Sequence, residues 1–190
     1  MKLDEITNKN DEYYTPPYAV DPILKYVPYG AKVWCPFDTE ESLFVKMLRS
    51  KGCDVIATHI ITDEDFFSID LDCEYIISNP PYSLKNEVFE RLFNIGKPFA
   101  MLVGVVGIFE SQHRFNLFKN NRFEIMYMNK RVSYFANYED QKPLLNPPFS
   151  SVYITSKMLP EKICFAEIDK KLFRAPYNAM LRGVAPDTEL

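Results

Sequence analysis

The chain has 190 residues, 26 of them acidic and 22 basic, for a formal charge of −4. Hydrophobic residues make up 47% and charged residues 25%, the balance of one globular domain, which excludes disorder over most of the length and a histone-like, purely electrostatic nucleic-acid binder. Glycine is scarce at 6 and proline plentiful at 14, so a glycine-rich phosphate loop is not expected.

Residues 1–12 are polar and mixed in charge, a solvated arm without a signal-peptide pattern. Tyr13-Tyr14-Thr15-Pro16-Pro17 follows as a rigid aromatic stretch. Asp21 before Pro22 reads as the N-cap and first turn of a short helix reaching Tyr26. Lys32 to Cys35 is a short apolar strand. Ser42 to Lys51 is helical, because Leu43, Phe44, Met47 and Leu48 share one face and Gly52 can close its end. Asp54 to His59 and Tyr75 to Ser78 are strands. Lys85 to Ile95 is an amphipathic helix with Val88, Phe89, Leu92 and Phe93 inward and Gly96 after it. Phe99 to Val106 is almost wholly apolar, as suits the buried centre of a parallel sheet. A helix over Gln112 to Asn120, a strand over Phe123 to Met128 and a last clear strand over Val152 to Thr155 complete the domain, 13–157. The extension 158–190 carries a mixed helix-like segment, Ile163 to Phe173, and an irregular end. Alternating strands and helices predict an α/β fold with a mainly parallel sheet, whose ligands bind beyond the carboxyl ends of the strands.

Four cysteines form no C-x-x-C pair and the only histidines are His59 and His113, so no metal site is expected. No apolar run approaches the ~18 residues of a membrane span. Free thiols without an export signal fit a cytoplasmic protein.

Asn79-Pro80-Pro81-Tyr82 follows a strand directly and precedes a helix. Its prolines fix φ and remove backbone donors. What remains is carbonyl oxygen and the Asn79 side-chain oxygen, both acceptors. Such a turn can hold the hydrogens of an exocyclic amino group and draw its nitrogen out of conjugation. Tyr82 offers a flat face for a planar ring, and an in-line methyl donor would complete a displacement by positioning. With 12 Asn, 14 Pro and 12 Tyr in the chain, chance alone supplies this tetrapeptide about 0.004 times. The similar Asn146-Pro147-Pro148-Phe149 leads into a strand instead of out of one and is read as a loop.

On these residues the chain resembles the S-adenosylmethionine-dependent amino-methyltransferases, especially small phage-type DNA adenine-N6 methyltransferases. Asn79 to Tyr82 matches their catalytic [DNS]-P-P-[YFW] block. Tyr14-Thr15-Pro16-Pro17 is similar to their N-terminal T-P-P block. Cys35-Pro36-Phe37-Asp38-Thr39-Glu40-Glu41 stands where D-P-F-x-G-x-G is usual. The resemblance covers roughly residues 12–156. It implies a Rossmann-like class I methyltransferase fold: a mainly parallel seven-stranded sheet with an antiparallel last strand, flanked by helices. It implies S-adenosylmethionine as cofactor, with Asn79, Pro80, Pro81 and Tyr82 catalytic and Tyr14, Thr15, Pro16, Cys35, Pro36, Phe37, Asp65 and Phe66 around the cofactor. Tyr82, Phe149 and Arg131 would meet substrate. Departures concentrate in the cofactor loop: Thr39 and Glu41 replace small glycines, Cys35 replaces an acid, and Thr58-His59 ends the second strand where an acid is usual.

Other readings of these residues are structural. Glu40 and Glu41 suit the start of the helix near Ser42, Cys35 and Trp34 suit the core, His59 suits a satisfied polar strand end, and Tyr13 and Tyr14 suit packing. Residues 111–131 carry Arg114, Lys119, Arg122, Lys130 and Arg131 against Glu124, net +4; with Lys142 they form either a phosphate-facing stripe or a solvated face. Adenine-containing DNA is the expected partner. Base modification in a duplex needs base flipping, yet the chain has no long insert for target recognition, so another protein or a homodimer would supply sequence preference. The alternative is a methyltransferase-like module that no longer catalyses and binds a protein. The same tetrapeptide also serves RNA and protein-amide methyltransferases.

Overall fold

The computed structural model describes residues 13–144, 149–171 and 177. The expected arm 1–12, Asn146-Pro147-Pro148 of the second tetrapeptide and most of the extension beyond 171 lie outside the described residues. In chain order the elements are α1 (Pro17–Leu24), β1 (Lys32–Cys35), α2 (Leu43–Ser50), β2 (Asp54–Ala57), β3 (Tyr75–Ser78), α3 (Lys85–Ile95), β4 (Phe99–Gly104), α4 (Gln112–Asn120), β5 (Glu124–Met128), β6 (Ser151–Ser156) and β7 (Ile163–Ala166). The seven strands form one sheet in the order β2-β1-β3-β4-β6-β5-β7. Six point the same way; β6 alone is reversed, pairing antiparallel with β4 and β5. This is the Rossmann-like α/β architecture that the resemblance implies. The reversed strand is the one expected last, and a seventh follows it.

Two cores fill the two faces. Val33 and Cys35 of β1 point to one with α1 and α2, whereas Trp34 points to the other with Val88, Phe89 and Leu92 of α3 and Phe118 of α4. That alternation is the strand period of two. Two helices start at side-chain caps and one ends at a glycine. Ser42 accepts from Phe44 N at α2 and Ser111 from Arg114 N at α4. Gly96, at φ +70, closes α3 and donates to Leu92 O.

Two expectations are corrected. The first helix starts at Pro17, not Asp21, and Pro22 lies inside it. Pro17 suits the first turn as well as Pro22 does, and the apolar set Tyr18, Ala19, Val20 and Ile23 is buried along the earlier span. The helix-like segment Ile163 to Phe173 begins as a strand instead, because β5 presents an open edge: Ile125 N donates to Lys162 O at 2.8 Å and Asn129 N to Ala166 O at 3.1 Å. All four cysteines are free. Among the described residues no helix is long and apolar enough to cross a membrane, and no group of three His, Cys, Asp or Glu could hold a metal.

Candidate active site

Strand order reverses between β1 and β3, since β1 leads outward to β2 and β3 leads the other way to β4. The crevice at the carboxyl ends of those two strands is where open α/β sheets bind ligands. Asp38, three residues beyond β1, and Ser78-Asn79, at the end of β3, meet there. Asp38 is buried; Ser78 Oγ donates to its Oδ2 at 2.5 Å and Ser42 Oγ donates to its Oδ1. Burial pushes the Asp38 carboxyl up to about 6, against the lowering effect of both hydroxyls.

Asn79 is held from the other side. Its Nδ2 donates to Tyr13 O at 2.9 Å and to Thr15 Oγ1 at 3.3 Å. A carbonyl only accepts, so the nitrogen must lie on that side and the orientation of the amide is settled by its partner. The consequence is that Asn79 Oδ1 faces inward, buried, with no hydrogen-bond partner among the described residues. Buried acceptors of this kind are uncommon and cost about 1–3 kcal/mol. Thr15 N in turn donates to Tyr138 OH at 3.2 Å, and Tyr138 OH lies 3.3 Å from Ser42 Oγ. The polar contacts thus run from Asn79 through Thr15, Tyr138, Ser42 and Asp38 back to Ser78. Burial raises the Tyr138 phenol far above its ordinary range, so it stays a neutral donor.

Beside this polar ring stands an aromatic cluster. Tyr13 contacts Tyr82 at 5.1 Å, Tyr134 at 5.2 Å and Phe149 at 6.3 Å between ring centroids, and Tyr82 contacts Phe149 at 5.3 Å. Tyr82 OH donates to Tyr134 OH at 3.2 Å, which lies 2.9 Å from Ser151 Oγ. Burial pushes the Tyr134 phenol up to about 12. Lys85 Nζ sits 5.1 Å over the Tyr82 ring. The Tyr82 face expected to be open for stacking is therefore lined by protein groups. Chemically, the arrangement holds a buried acceptor next to a cluster of edge-on aromatic rings, with a buried carboxylate near the ends of the same strands.

Of the residues singled out from sequence, Asn79, Pro80, Tyr82, Thr15 and Phe149 converge here. Tyr14 is tied to this region by its carbonyl, which accepts from Phe135 N at 2.8 Å, and by its ring against Tyr138 at 4.8 Å. Pro16 caps α1. Pro36 and Phe37 precede Asp38, and Phe37 packs on Phe66 at 4.9 Å. Pro81 O accepts from Leu84 N, so Tyr82 opens a short 3-10 turn before α3 begins. Four of the singled-out residues make packing or backbone contacts. Cys35 is wholly buried in the first core, and burial pushes its thiol well up. Phe66 is buried beside Trp34 in the second core. Asp65 Oδ1 accepts from Phe67 N and closes its own turn. Arg114 leaves the basic stripe: its guanidinium donates to Gly107 O, Ile108 O and Asn86 Oδ1, pinning the loop after β4. His59 follows its structural reading, whereas Glu40 and Glu41 precede the N-cap Ser42 and the first turn of α2 holds no acid. His59 Nδ1 accepts from Ile61 N, and Glu40 and Glu41 pair with Arg49 and Lys46 of α2. Arg131 is exposed.

Sequence reasoning passed over Asp38, Ser78 and Tyr138 and read Tyr13 as packing. The one available signal was a carboxylate four residues before an N-cap serine. A shallow hollow of about 480 Å³, bounded by Phe67, Asp70, Glu87, Glu90 and Arg91 among others, lies along α3 and shares no residue with the Asn79 turn. Arg91, in its wall, is committed to Ile69 O and Asp70.

No protein-family profile matches the chain, and no curated protein matches it in sequence. Among solved structures it is similar to a TehB-like SAM-dependent methyltransferase from Corynebacterium glutamicum, at 14% identity and a TM-score of 0.43, over 81% of this chain and 93% of that one.

Proposed function

We propose that this chain is an S-adenosylmethionine-dependent methyltransferase acting on the exocyclic N6 amino group of adenine in DNA. The observation that carries the reading is Asn79 Oδ1, a buried acceptor without a donor among the described residues, at the carboxyl end of β3 beside the switch point. An amino group supplies what that atom lacks. Asn79 would take one of its hydrogens and the Pro80 carbonyl the other, while Pro80 and Pro81 contribute no competing N–H. Held by both hydrogens, the nitrogen turns its lone pair out of the ring plane. Tyr82 and Phe149 would enclose the ring, and the exposed Arg131 would meet backbone phosphate.

The residues fit the cofactor in one respect that the sequence obscured. The acid expected at position 35 is absent, yet Asp38 brings a buried carboxylate to the same crevice. An ammonium or sulfonium group there would favour its ionised form. S-adenosylmethionine, when bound, supplies an electrophilic methyl group. Thr15, Pro16, Pro36 and Phe37 belong to the segments that flank Asp38 and Asn79. Calorimetric titration with S-adenosylmethionine, followed by tritium transfer to adenine-containing DNA, tests the reading. Asn79→Ala is expected to retain cofactor binding and to lose at least about 100-fold in transfer, the scale of a deleted transition-state donor or acceptor. Equal transfer by wild type and variant removes Asn79 from the mechanism.

One observation favours a second reading, a protein-binding module without catalysis. Asp38 has both oxygens bonded internally, and those bonds tie the ends of β1 and β3 together. Absence of heat and of thermal shift at millimolar cofactor would select it.

A further inference from the structure

Tyr13 occupies the space that the reading above assigns to the substrate ring. Its own ring touches Tyr82 edge-on at 68° and Phe149 at 78°, and its carbonyl takes the Asn79 Nδ2 hydrogen. It thus engages the same three side chains that a planar ring bearing an amine would engage. We infer that Tyr13 is a displaceable occupant of the acceptor slot, a one-residue lid that leaves when an adenine ring enters. The inference rests on the proposed function and adds the step that opens the site.

The chain that follows Tyr13 is built for such a swing. From Tyr14 onward the backbone is anchored: Tyr14 O accepts from Phe135 N, Thr15 is buried with its N–H on Tyr138, and Pro16-Pro17 stiffen the start of α1. Rotation about the N–Cα bond of Tyr14 moves the ring and carbonyl of Tyr13 without moving the Tyr14 carbonyl or the anchors after it. Asn79 does not lose its orientation when Tyr13 departs, because Nδ2 keeps Thr15 Oγ1. Thr15 is therefore the positioning residue that keeps Oδ1 facing the slot. The closed state carries its own weakness, since Tyr13 satisfies the nitrogen of the amide and leaves the oxygen without a donor. An entering amine supplies that donor, so the exchange favours substrate over lid.

The test uses the full chain and a short oligothymidine carrying one central adenine. Wild type, Tyr13→Phe and Tyr13→Ala are compared by calorimetry, and 3-fluorotyrosine placed at position 13 reports the lid by fluorine NMR. For an open state populated at about 10% or less, removing the ring tightens binding about 10-fold or more. Tyr13→Ala is expected to gain at least that, Tyr13→Phe to match wild type, and the fluorine resonance to move towards that of a solvated tyrosine as the strand saturates. The NMR arm needs no truncated side chain, so it stands even if Tyr13→Ala folds poorly. Equal affinities with an unmoved resonance overturn the lid and leave the methyltransferase reading intact. Weaker binding by Tyr13→Ala overturns it too, making Tyr13 a wall of the slot. If no variant distinguishes adenine from thymine strands, the slot takes no purine and both readings fall together.

Discussion

Asp38→Asn isolates the buried carboxylate at the switch point, and its effect on stability must depend on pH. Burial lifts the Asp38 pKa to about 6 in the folded protein, against about 3.9 in an unfolded chain. The folded state therefore holds the proton more tightly. The stability this contributes is complete below about pH 4 and is lost as pH rises through about 6. A shift of about two units corresponds to about 3 kcal/mol, of which about 2 kcal/mol falls between pH 4.5 and pH 8. Asparagine has nearly the same shape and no charge. Its amide nitrogen requires one serine to accept instead of donate. Ser42 Oγ already accepts from Phe44 N, so Ser78 is the one that turns. That rearrangement is pH-independent and cancels when two pH values are compared. Relative to wild type, Asp38→Asn is expected to gain about 4–8 °C in melting midpoint on going from pH 4.5 to pH 8. Thermal melts followed by circular dichroism measure the difference directly. A midpoint difference that does not change with pH would show that Asp38 does not titrate in this window. A wild type that gains on the variant as pH rises would show that the two hydroxyls outweigh desolvation.

A cationic ligand seated against Asp38 favours the ionised carboxylate, so S-adenosylmethionine binding at pH 5.5 should release protons; calorimetry in two buffers of different ionisation heat reads this, and identical heats would place the ligand elsewhere. Gly104→Ala puts a Cβ 2.8 Å from the Phe149 ring and should cost about 1–3 kcal/mol by overpacking, seen in urea unfolding, unless Phe149 is free to leave the cluster. Arg114→Ala strands Gly107 O, Ile108 O and Asn86 and should cost about 2–3 kcal/mol while leaving the salt dependence of the proposed DNA binding unchanged. Arg131→Ala should do the reverse, keeping the urea midpoint and lowering the salt slope by about 1; a variant pair that behaves alike would dissolve the distinction between pinned and exposed arginine.

Elements whose signals are local were legible in the sequence. The helix over Lys85–Ile95 has its apolar face and its closing glycine within one segment, and its bounds match. The helix at Gln112–Asn120 carries its own N-cap serine. Misreadings arose where a neighbour distant in sequence decides. β7 is a strand because β5 offers it an edge almost forty residues away, and its alternating exposure is too short to outweigh a mixed pattern. Asp21-Pro22 mimics a helix start that Pro16-Pro17 had already supplied.

The candidate site divides along the same line. Asn79-Pro80-Pro81-Tyr82 is contiguous, so its donor and acceptor chemistry is legible in the sequence. Its surroundings are not contiguous: Tyr13 and Thr15 hold Asn79, Asp38 bonds Ser78 just before it, and Tyr138 is joined through Thr15. In the sequence Asp38 is one acid among three in four residues, with Glu40 and Glu41. The fold separates them by what lies opposite. Glu40 and Glu41, just before α2, face its Arg49 and Lys46, exposed and ion-paired, where such pairs contribute little. Asp38 alone faces Ser78 across the strands, buried and partly protonatable near neutral pH. A surface acid that pairs locally needs no further explanation. A carboxylate held out of water beside an acceptor that lacks a donor is a costly arrangement on two counts, and both costs fall when one ligand brings a positive charge and a second brings an amine. That coincidence, more than the tetrapeptide alone, is the physical argument for a two-substrate transfer site at the ends of β1 and β3.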